Sequence, residues 1–500
     1  MSEGQLEYQI DADGVPARVT IEEKEEDYVL RYRIERPEIK TATEAVLEDV
    51  KEKIVKEVQL STEEFVNAKE LENVKNKFRE QALELLEEEL PETDEDAKNI
   101  LIGNLIHRML GLGDIELLLN DQHLEEIVIN GSEEPAWVYH KELGWMKTDI
   151  EFEDEDQIYN YASEIGRRVG KNISSLHPLL DAHLPSGDRT NATLYPISTQ
   201  GNTVTIRKFA RDPWTITDFI QNGTITREVA AFLWLCIQYE LNIIVSGGTG
   251  AGKTSLLNVL MPFIPPNQRV LSIEDTREVS LPGFLHWVPL TTREPNPEGK
   301  GGVSMLDLLV NALRMRPDRI LVGEIRRQRQ AEVLFEAMHT GHSVYSTLHA
   351  DTAEQTVRRL VNPPIDVPKT MVDAVDVNVV MFRDRRRNFR RVMEVAEISE
   401  KEDNEVGADV LYEWQSKADE VEKKQESNAV FETLNLHTGM TPEELRDNIE
   451  QKKRILRWME EKEIDTVNTV GKVVAEYYSE PDKVVAAAEN DEDAATILES

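Results

Sequence analysis

The stretch "NIIVSGGTGAGKTSLLNVL", from Asn242, joins an apolar run to a burst of glycines around one lysine, then to an apolar run of helical spacing. Gly247, Gly252, Lys253 and Thr254 satisfy G-x-x-x-x-G-K-[ST] directly after a strand-like segment and directly before a helical one. The chemistry is phosphate binding. Glycines let consecutive backbone N–H groups turn toward the phosphates with no Cβ in the way, and the helix N-terminus adds the positive end of its dipole. Lys253 is expected to reach the β- and γ-phosphates and the Thr254 hydroxyl to ligate Mg²⁺. The whole loop, Gly247, Gly248, Thr249, Gly250, Ala251, Gly252, Lys253, Thr254 and Ser255, is the expected seat of a nucleoside triphosphate.

Such a loop needs an acidic residue near the γ-phosphate at the end of another strand. "RPDRILVGEIR" is an apolar segment ending in Glu324, and "RVLSIEDTRE" is one ending in Glu274 and Asp275. A carboxylate at the C-terminal edge of a strand faces the crevice where ligands sit in open α/β sheets, so either segment can hold Mg²⁺ through water or polarise the attacking water. Glu324 is the expected catalytic carboxylate. Glu274 suits either catalysis or a structural bond to a neighbouring loop.

The elements that position these residues run in strict strand–helix alternation over residues 223–400, which predicts βαβ units and a mostly parallel sheet. An antiparallel hairpin, "VDVNVVMFRD" and "FRRVMEVAEI", is expected at its edge. The hairpin carries Arg383, Arg385, Arg386, Arg387, Arg390 and Arg391, an island of positive charge that suits a solvated tip or a docking patch for an acidic loop or anionic lipid. At the sheet edge it is expected to make no phosphate contact. Upstream, residues 93–209 mix short strand and helix signals as a smaller α/β domain, and 210–222, with Pro213, form a hinge linker. Residues 1–92 make an accessory module of strands then helices, with a capping box at Ser61 and Glu64. Residues 401–500 are expected to be acidic and helical, with Thr441, Pro442 and Glu444 starting one helix. The acidic stretches "EKEDNE" and "AENDEDAA" are expected to be solvated or disordered and not functional.

At 500 residues the chain is too long for one core. Its 57 Lys plus Arg against 95 Asp plus Glu give a net charge of −38, spread along the whole length. Such a surface repels nucleic acid and suits a salt-rich, halophilic cytoplasm, where ions screen the self-repulsion. The single cysteine, Cys236, lies in an apolar run and excludes a disulfide framework. Neither a signal peptide nor an 18-residue apolar span is evident, so a soluble intracellular protein is expected.

Four ordered segments, "SGGTGAGKTSLLN", "IEDTREVSLPG", "LTTREPNPEGKGGVSMLDLLVNALRMRPDRILVGEIR" and "TGHSVYSTLHA", resemble the Walker A, Asp box, Walker B and His box of the type II/type IV secretion ATPase superfamily. The resemblance extends over residues 99–398 and is nearest the archaeal and tight-adherence pilus branches. It implies a RecA-like P-loop ATPase domain preceded by a smaller α/β N-terminal domain, with ATP and Mg²⁺ as ligands. It further implies a homo-hexameric ring at the inner face of the cell membrane. That ring would drive a polytopic platform protein to assemble a pilus-like or archaellum-like filament or to export protein, touching pilin-like or secreted substrates only indirectly.

By the same resemblance, Arg189 in "SGDRTNA" and Arg207 in "TIRKF" reach the phosphates from the N-terminal domain, a task suited to a planar, permanently charged fork. His342 and His349 match the His box, whose histidines sense or position the γ-phosphate. The general secretion branch's four-cysteine zinc motif is missing, so no metal beyond Mg²⁺ is implied. Two alternatives stay open: a RecA-like nucleic-acid translocase, which the acidic charge disfavours, and a P-loop regulatory ATPase that forms no ring.

Overall fold

Val15, Ala17, Val19 and Ile21 are buried while Pro16 and Arg18 between them are exposed, the two-residue period of a strand with one face on a core. The computed structural model describes residues 6–24, 27–57, 68–184, 186–209, 213–295, 299–400 and 405–499. The chain forms two compact units, Met1–Arg211 and Asp212–Ser500. The expected capping box at Ser61 and Glu64, the start of the linker at 210–212 and most of "EKEDNE" lie outside the described residues.

The first unit contains β1 (Leu6–Ala12), β2 (Val15–Glu22), β3 (Arg31–Glu35), β4 (Leu124–Ile129), β5 (Trp137–His140), β6 (Gly144–Thr148), β7 (Leu179–His183), β8 (Arg189–Thr193) and β9 (Thr203–Arg207). They make one nine-stranded sheet in the order β1-β2-β3-β6-β5-β4-β9-β8-β7. The opening strands thus continue the sheet of the strands that follow, joined by the parallel pairing of Tyr32 with Thr148. The hydroxyls of Tyr8 and Tyr32 both donate to Oδ2 of buried Asp121, at 2.7 and 2.6 Å, tying β1 and β3 to the loop before β4. Helices Thr41–Glu57, Ala68–Glu89 and Glu95–Met109 bury a separate apolar cluster that includes Leu47, Val50, Ile54, Phe78 and Ile102.

The second unit contains β10 (Ile243–Gly247), β11 (Arg269–Glu274), β12 (His286–Thr291), β13 (Arg319–Val322), β14 (Ser343–Leu348), β15 (Val377–Asp384), β16 (Phe389–Glu400), β17 (Val406–Gln415) and β18 (Glu420–Lys423). Their order is β12-β11-β13-β14-β10-β15-β16-β17-β18. Pairings from β12 to β15 are all parallel and those from β15 to β18 antiparallel. The α/β class with a mostly parallel sheet is therefore observed in the second unit, with the glycine loop following β10.

One local expectation needs correction. The hairpin β15–β16 is not at the sheet edge, because residues 406–423, expected in the acidic helical region, form β17 and β18 beyond it. The acidic stretch 488–495 is largely solvated, with Glu489, Asn490, Asp491, Asp493 and Ala495 exposed, while the Trp458 indole donates to Glu492 O at 2.9 Å and Ile497 just beyond it is buried. Helices after residue 429 close the same core as helix Arg227–Gln238, where Trp234 stacks on Phe263 with ring centroids 4.8 Å apart. The Trp234 indole donates to Tyr478 Oη at 2.8 Å, and that hydroxyl donates to Phe263 O at 2.6 Å. Cys236 is buried on the same helix, a small core side chain as expected.

Candidate functional site

Every residue of β10 is buried, and the strand lies between β14 and β15, both parallel to it. Asn242 fixes where it starts. Its N–H donates to Asp376 Oδ2 at 2.7 Å, its amide NH₂ donates to Ala374 O at 2.8 Å, and its amide oxygen accepts from Val344 N at 2.8 Å. The strand therefore delivers Gly247 and the following loop at a set height on the sheet's C-terminal edge. A methyl group on Gly247 would sit 2.4 Å from Met381 O, so the loop can leave β10 only as glycine. Gly252, at φ 91°, is the residue before helix Lys253–Leu260, a conformation that L side chains resist. Thr254 and Ser255 follow in the first turn of that helix, half-buried, and Thr249 and Gly250 are exposed at the loop's crest.

Lys253 is 8% exposed; its Nζ donates to Gly248 O at 3.0 Å and lies 3.3 Å from His349 Nδ1. Burial pulls its pKa down, against the charges of Glu324, Asp351 and Glu278 that favour the cation. His349 Nε2 is in turn 3.2 Å from Glu324 Oε1. Burial and the neighbouring Lys253 charge lower the histidine's pKa, with Glu324 opposing. A continuous row, lysine to imidazole to carboxylate, thus crosses the ends of β10, β14 and β13. Glu324 is held there by backbone: Gly323 N donates to Ile273 O at 2.9 Å, and Thr347 Oγ1 donates to Gly323 O at 2.6 Å. Its second oxygen accepts from Arg326 Nη2 at 2.8 Å, and Arg326 Nη1 reaches Asp275 Oδ2 at 2.9 Å.

Glu274 ends β11, 3% exposed, and Oε1 accepts from the N–H groups of Glu278 and Val279 at 2.9 and 3.0 Å. That is the structural bond the sequence allowed. Its Oε2 is buried with no hydrogen-bond partner among the described residues, and burial pushes its pKa up. His342 is not brought to the loop. It stands before the first residue of β14, with Nδ1 3.2 Å from Ala337 O, while His349 follows the last residue of that strand. In the first unit, Arg189 and Arg207 are exposed and directly opposite one another on β8 and β9. Arg189 is paired with Asp181 at 2.9 and 3.2 Å.

The arginine hairpin is the main difference from expectation. Arg390 Nε donates to Gly250 O at 3.3 Å, and Arg383 Nη1 lies 2.8 Å from where a methyl on Gly250 would be. The hairpin base therefore touches the glycine loop, since β15 is hydrogen-bonded along β10. Arg326 was also missed, although it follows Glu324 by two positions in "GEIR" and could have been weighed with it.

Sequence comparison agrees with this geometry. The family described as Type II/IV secretion system protein matches residues 110–452, more than two thirds of the chain. The uncharacterized protein MJ0900 of Methanocaldococcus jannaschii is 37% identical over 380 residues, 74% of this chain and 68% of that protein. The type IV secretion system protein PtlH of Bordetella pertussis is 31% identical over 307 residues, 55% and 89% of the two chains. Among solved structures, the VirB11 ATPase of the Brucella suis type IV secretion system is 27% identical, with 56% of this chain and 90% of that one covered and a TM-score of 0.29. With a phosphate-binding loop, a row from Lys253 to Glu324 and a family match of this extent, the chain belongs to the Type II/IV secretion system protein family and is a P-loop ATPase.

Proposed function

We propose that ATP hydrolysis at this loop powers a homo-hexameric motor that works on a polytopic membrane platform protein, assembling a pilus-like or archaellum-like filament or exporting protein. The observation that carries the reading is the row Lys253–His349–Glu324 at the mouth of the loop, which joins the group that binds terminal phosphates to the group that orients water. Lys253, parked on Gly248 O, turns onto the β- and γ-phosphates. Glu324 orients the attacking water, with His349 between the two. Glu274 Oε2, buried and with no hydrogen-bond partner among the described residues, is an acceptor for a bound water beside the site. Arg189 and Arg207 are proposed, on the resemblance alone, to neutralise phosphate charge.

The residues present fit Mg²⁺. Thr254 offers a hydroxyl oxygen and Glu324 a carboxylate, the hard oxygen donors this ion takes together with phosphates and water. No group of three or more His, Cys, Asp or Glu among the described residues is placed to hold a metal ion by itself. When bound, the ion neutralises charge on the phosphate oxygens. No helix among the described residues is long and apolar enough to cross a membrane, so contact with a platform is proposed through surfaces such as the exposed hairpin tip Arg385–Arg386–Arg387.

Lys253→Ala is expected to abolish hydrolysis, and Glu324→Gln to bind ATP yet turn over ~100-fold more slowly. Near wild-type turnover in Glu324→Gln would overturn the catalytic assignment. Sedimentation velocity of that variant with ATP tests the ring. Copies each carrying −38 repel across an interface while the Debye length is ~30 Å at 0.01 M salt, and far less at 1 M, where it is ~3 Å. The expected result is a hexamer at molar KCl that dissociates at low salt; a monomer at every salt concentration removes the ring.

A further inference from the structure

Strands β15 and β16 meet with Arg383 directly opposite Arg390. Like charges facing one another across a strand pair are destabilising, which makes the position of this pair against the glycine loop informative. Successive residues of a strand point to opposite faces, which sets Arg383 and Arg390 on one face of the hairpin and Phe382, Phe389 and Arg391 on the other. The second face is anchored. Phe382 stacks on Trp414 of β17 with centroids 5.4 Å apart, Phe389 meets the same indole edge-on at 5.9 Å, and Arg391 is paired with Asp419 at 2.8 Å. A register shift between Val380 and Met381 precedes the arginine pair, the kind of irregularity that re-aims side chains. The first face meets the glycine loop: Arg390 Nε donates to Gly250 O at 3.3 Å, Arg390 Cδ is 3.2 Å from a methyl built on Gly252, and Arg383 Nη1 is 2.8 Å from one built on Gly250.

The strand order says which end of a nucleotide this pair can serve. β10 has β14 and then β13 on one side, leading to His349 and Glu324, and β15 on the other. A triphosphate held by the loop with its terminal phosphate toward Lys253 and Glu324 has its nucleoside end toward β15. We infer that Arg383 and Arg390 bind the nucleoside end of the nucleotide, its α-phosphate and ribose, and so set affinity for ATP and ADP alike without entering the chemical step. The inference rests on the proposal that ATP seats in the Gly247–Thr254 loop. It adds a hairpin of the same unit to that site, through residues no loop motif contains.

The test is calorimetric titration of the full chain with ADP, alongside steady-state ATP hydrolysis, for Arg383→Met and Arg390→Met. Methionine keeps the aliphatic stem against Gly252 and removes the charge. Each variant is expected to bind ADP about tenfold more weakly and to raise the KM for ATP by the same factor, with kcat within about twofold, the signature of lost uniform binding. Should the Met variants fail to fold, Arg383→Lys and Arg390→Lys decide. They keep the charge but lose the planar fork, and are expected to weaken ADP about threefold. Weaker ATP binding with ADP unchanged would move the pair to the γ-phosphate and overturn the inference. Unchanged ADP affinity and KM, or a fall in kcat at constant KM, would overturn it too. Failure of the underlying site looks different: Lys253→Ala would then bind ADP as tightly as the wild type.

Discussion

Two arginine pairs face one another across antiparallel strands, one in each compact unit: Arg189 with Arg207 on β8 and β9, and Arg383 with Arg390 on β15 and β16. The first pair is answered from its own sheet, by Asp181 on the neighbouring β7, which grips Arg189 at 2.9 Å. In the second pair Arg390 is answered by a loop carbonyl, Gly250 O. A guanidinium gripped through Nε and Nη2 by a carboxylate has two of its five N–H donors committed before another anion arrives. One resting on the phosphate loop is already in place. On the proposal that the first pair neutralises phosphate charge, its role comes with the reaction while that of the second pair is built into the loop, and the two are expected to give opposite kinetic signatures.

The largest effect tests the first pair. Arg207→Ala is expected to lower kcat ~100-fold while leaving ADP affinity close to wild type, the reverse of Arg383→Met, because an arginine engaged only as charge develops acts on the barrier and not on ground-state binding. Wild-type kinetics in both Arg207→Ala and Arg189→Ala would remove the first pair from the reaction and collapse the comparison.

A smaller effect is expected at Asp181. The Arg189 guanidinium beside it draws its pKa below the ordinary carboxylate value, against burial, which acts in the other direction. A depressed folded-state value means that the pairing stabilises the fold above the unfolded pKa, near 3.8, and that this contribution is lost as pH falls through the lower folded value. Both partners are substantially exposed, so the gain is small, ~0.5 kcal/mol. Melting curves of wild type and Asp181→Asn should differ by a few degrees at most at pH 7 and draw together as the pH falls below the ordinary carboxylate range. A gap that does not narrow as the carboxylate is protonated would mean its role is packing and not charge.

The smallest effect on catalysis belongs to the hairpin tip. Arg385, Arg386 and Arg387 are exposed, and the N–H groups of Arg386 and Arg387 donate to Asp384 Oδ1 in the turn. Changing all three to Ser is expected to leave hydrolysis within about twofold of wild type while weakening sedimentation with anionic vesicles, because each cation near such a surface contributes ~1 kcal/mol. Hydrolysis falling in step with vesicle binding would merge tip and base into one device.

The glycine loop and Glu324 were legible in the sequence because their chemistry is local, fixed by spacing within a few residues of a strand end. Arg383 and Arg390 were legible only as charge. What gives them a place is the pairing of β15 with β10, between segments more than a hundred residues apart, and no periodicity reports a pairing. The strands β17 and β18 were missed for another reason. In "VGADVLYEWQ" only Leu411 and Tyr412 are buried, so the two-residue alternation that marks a strand is too weak to stand out against the acidic composition of the region. His342 and His349 share one motif, yet a six-residue strand lies between them, and one strand has two ends.

The contacts of Trp234 with Tyr478 carry a consequence for how the protein is made. They link the helix before the phosphate loop to a residue 244 positions later, and Tyr478 closes on Phe263, just past the helix that follows the loop. A chain emerging from the ribosome at ~5–20 residues per second completes the first unit, then exposes the apolar side chains of Arg227–Gln238 for about 12 to 50 seconds before their partners arrive. The last fifth of the chain is thus a closing segment for the ATPase core, and a nascent chain arrested before Tyr478 presents that core to chaperones in place of a finished enzyme.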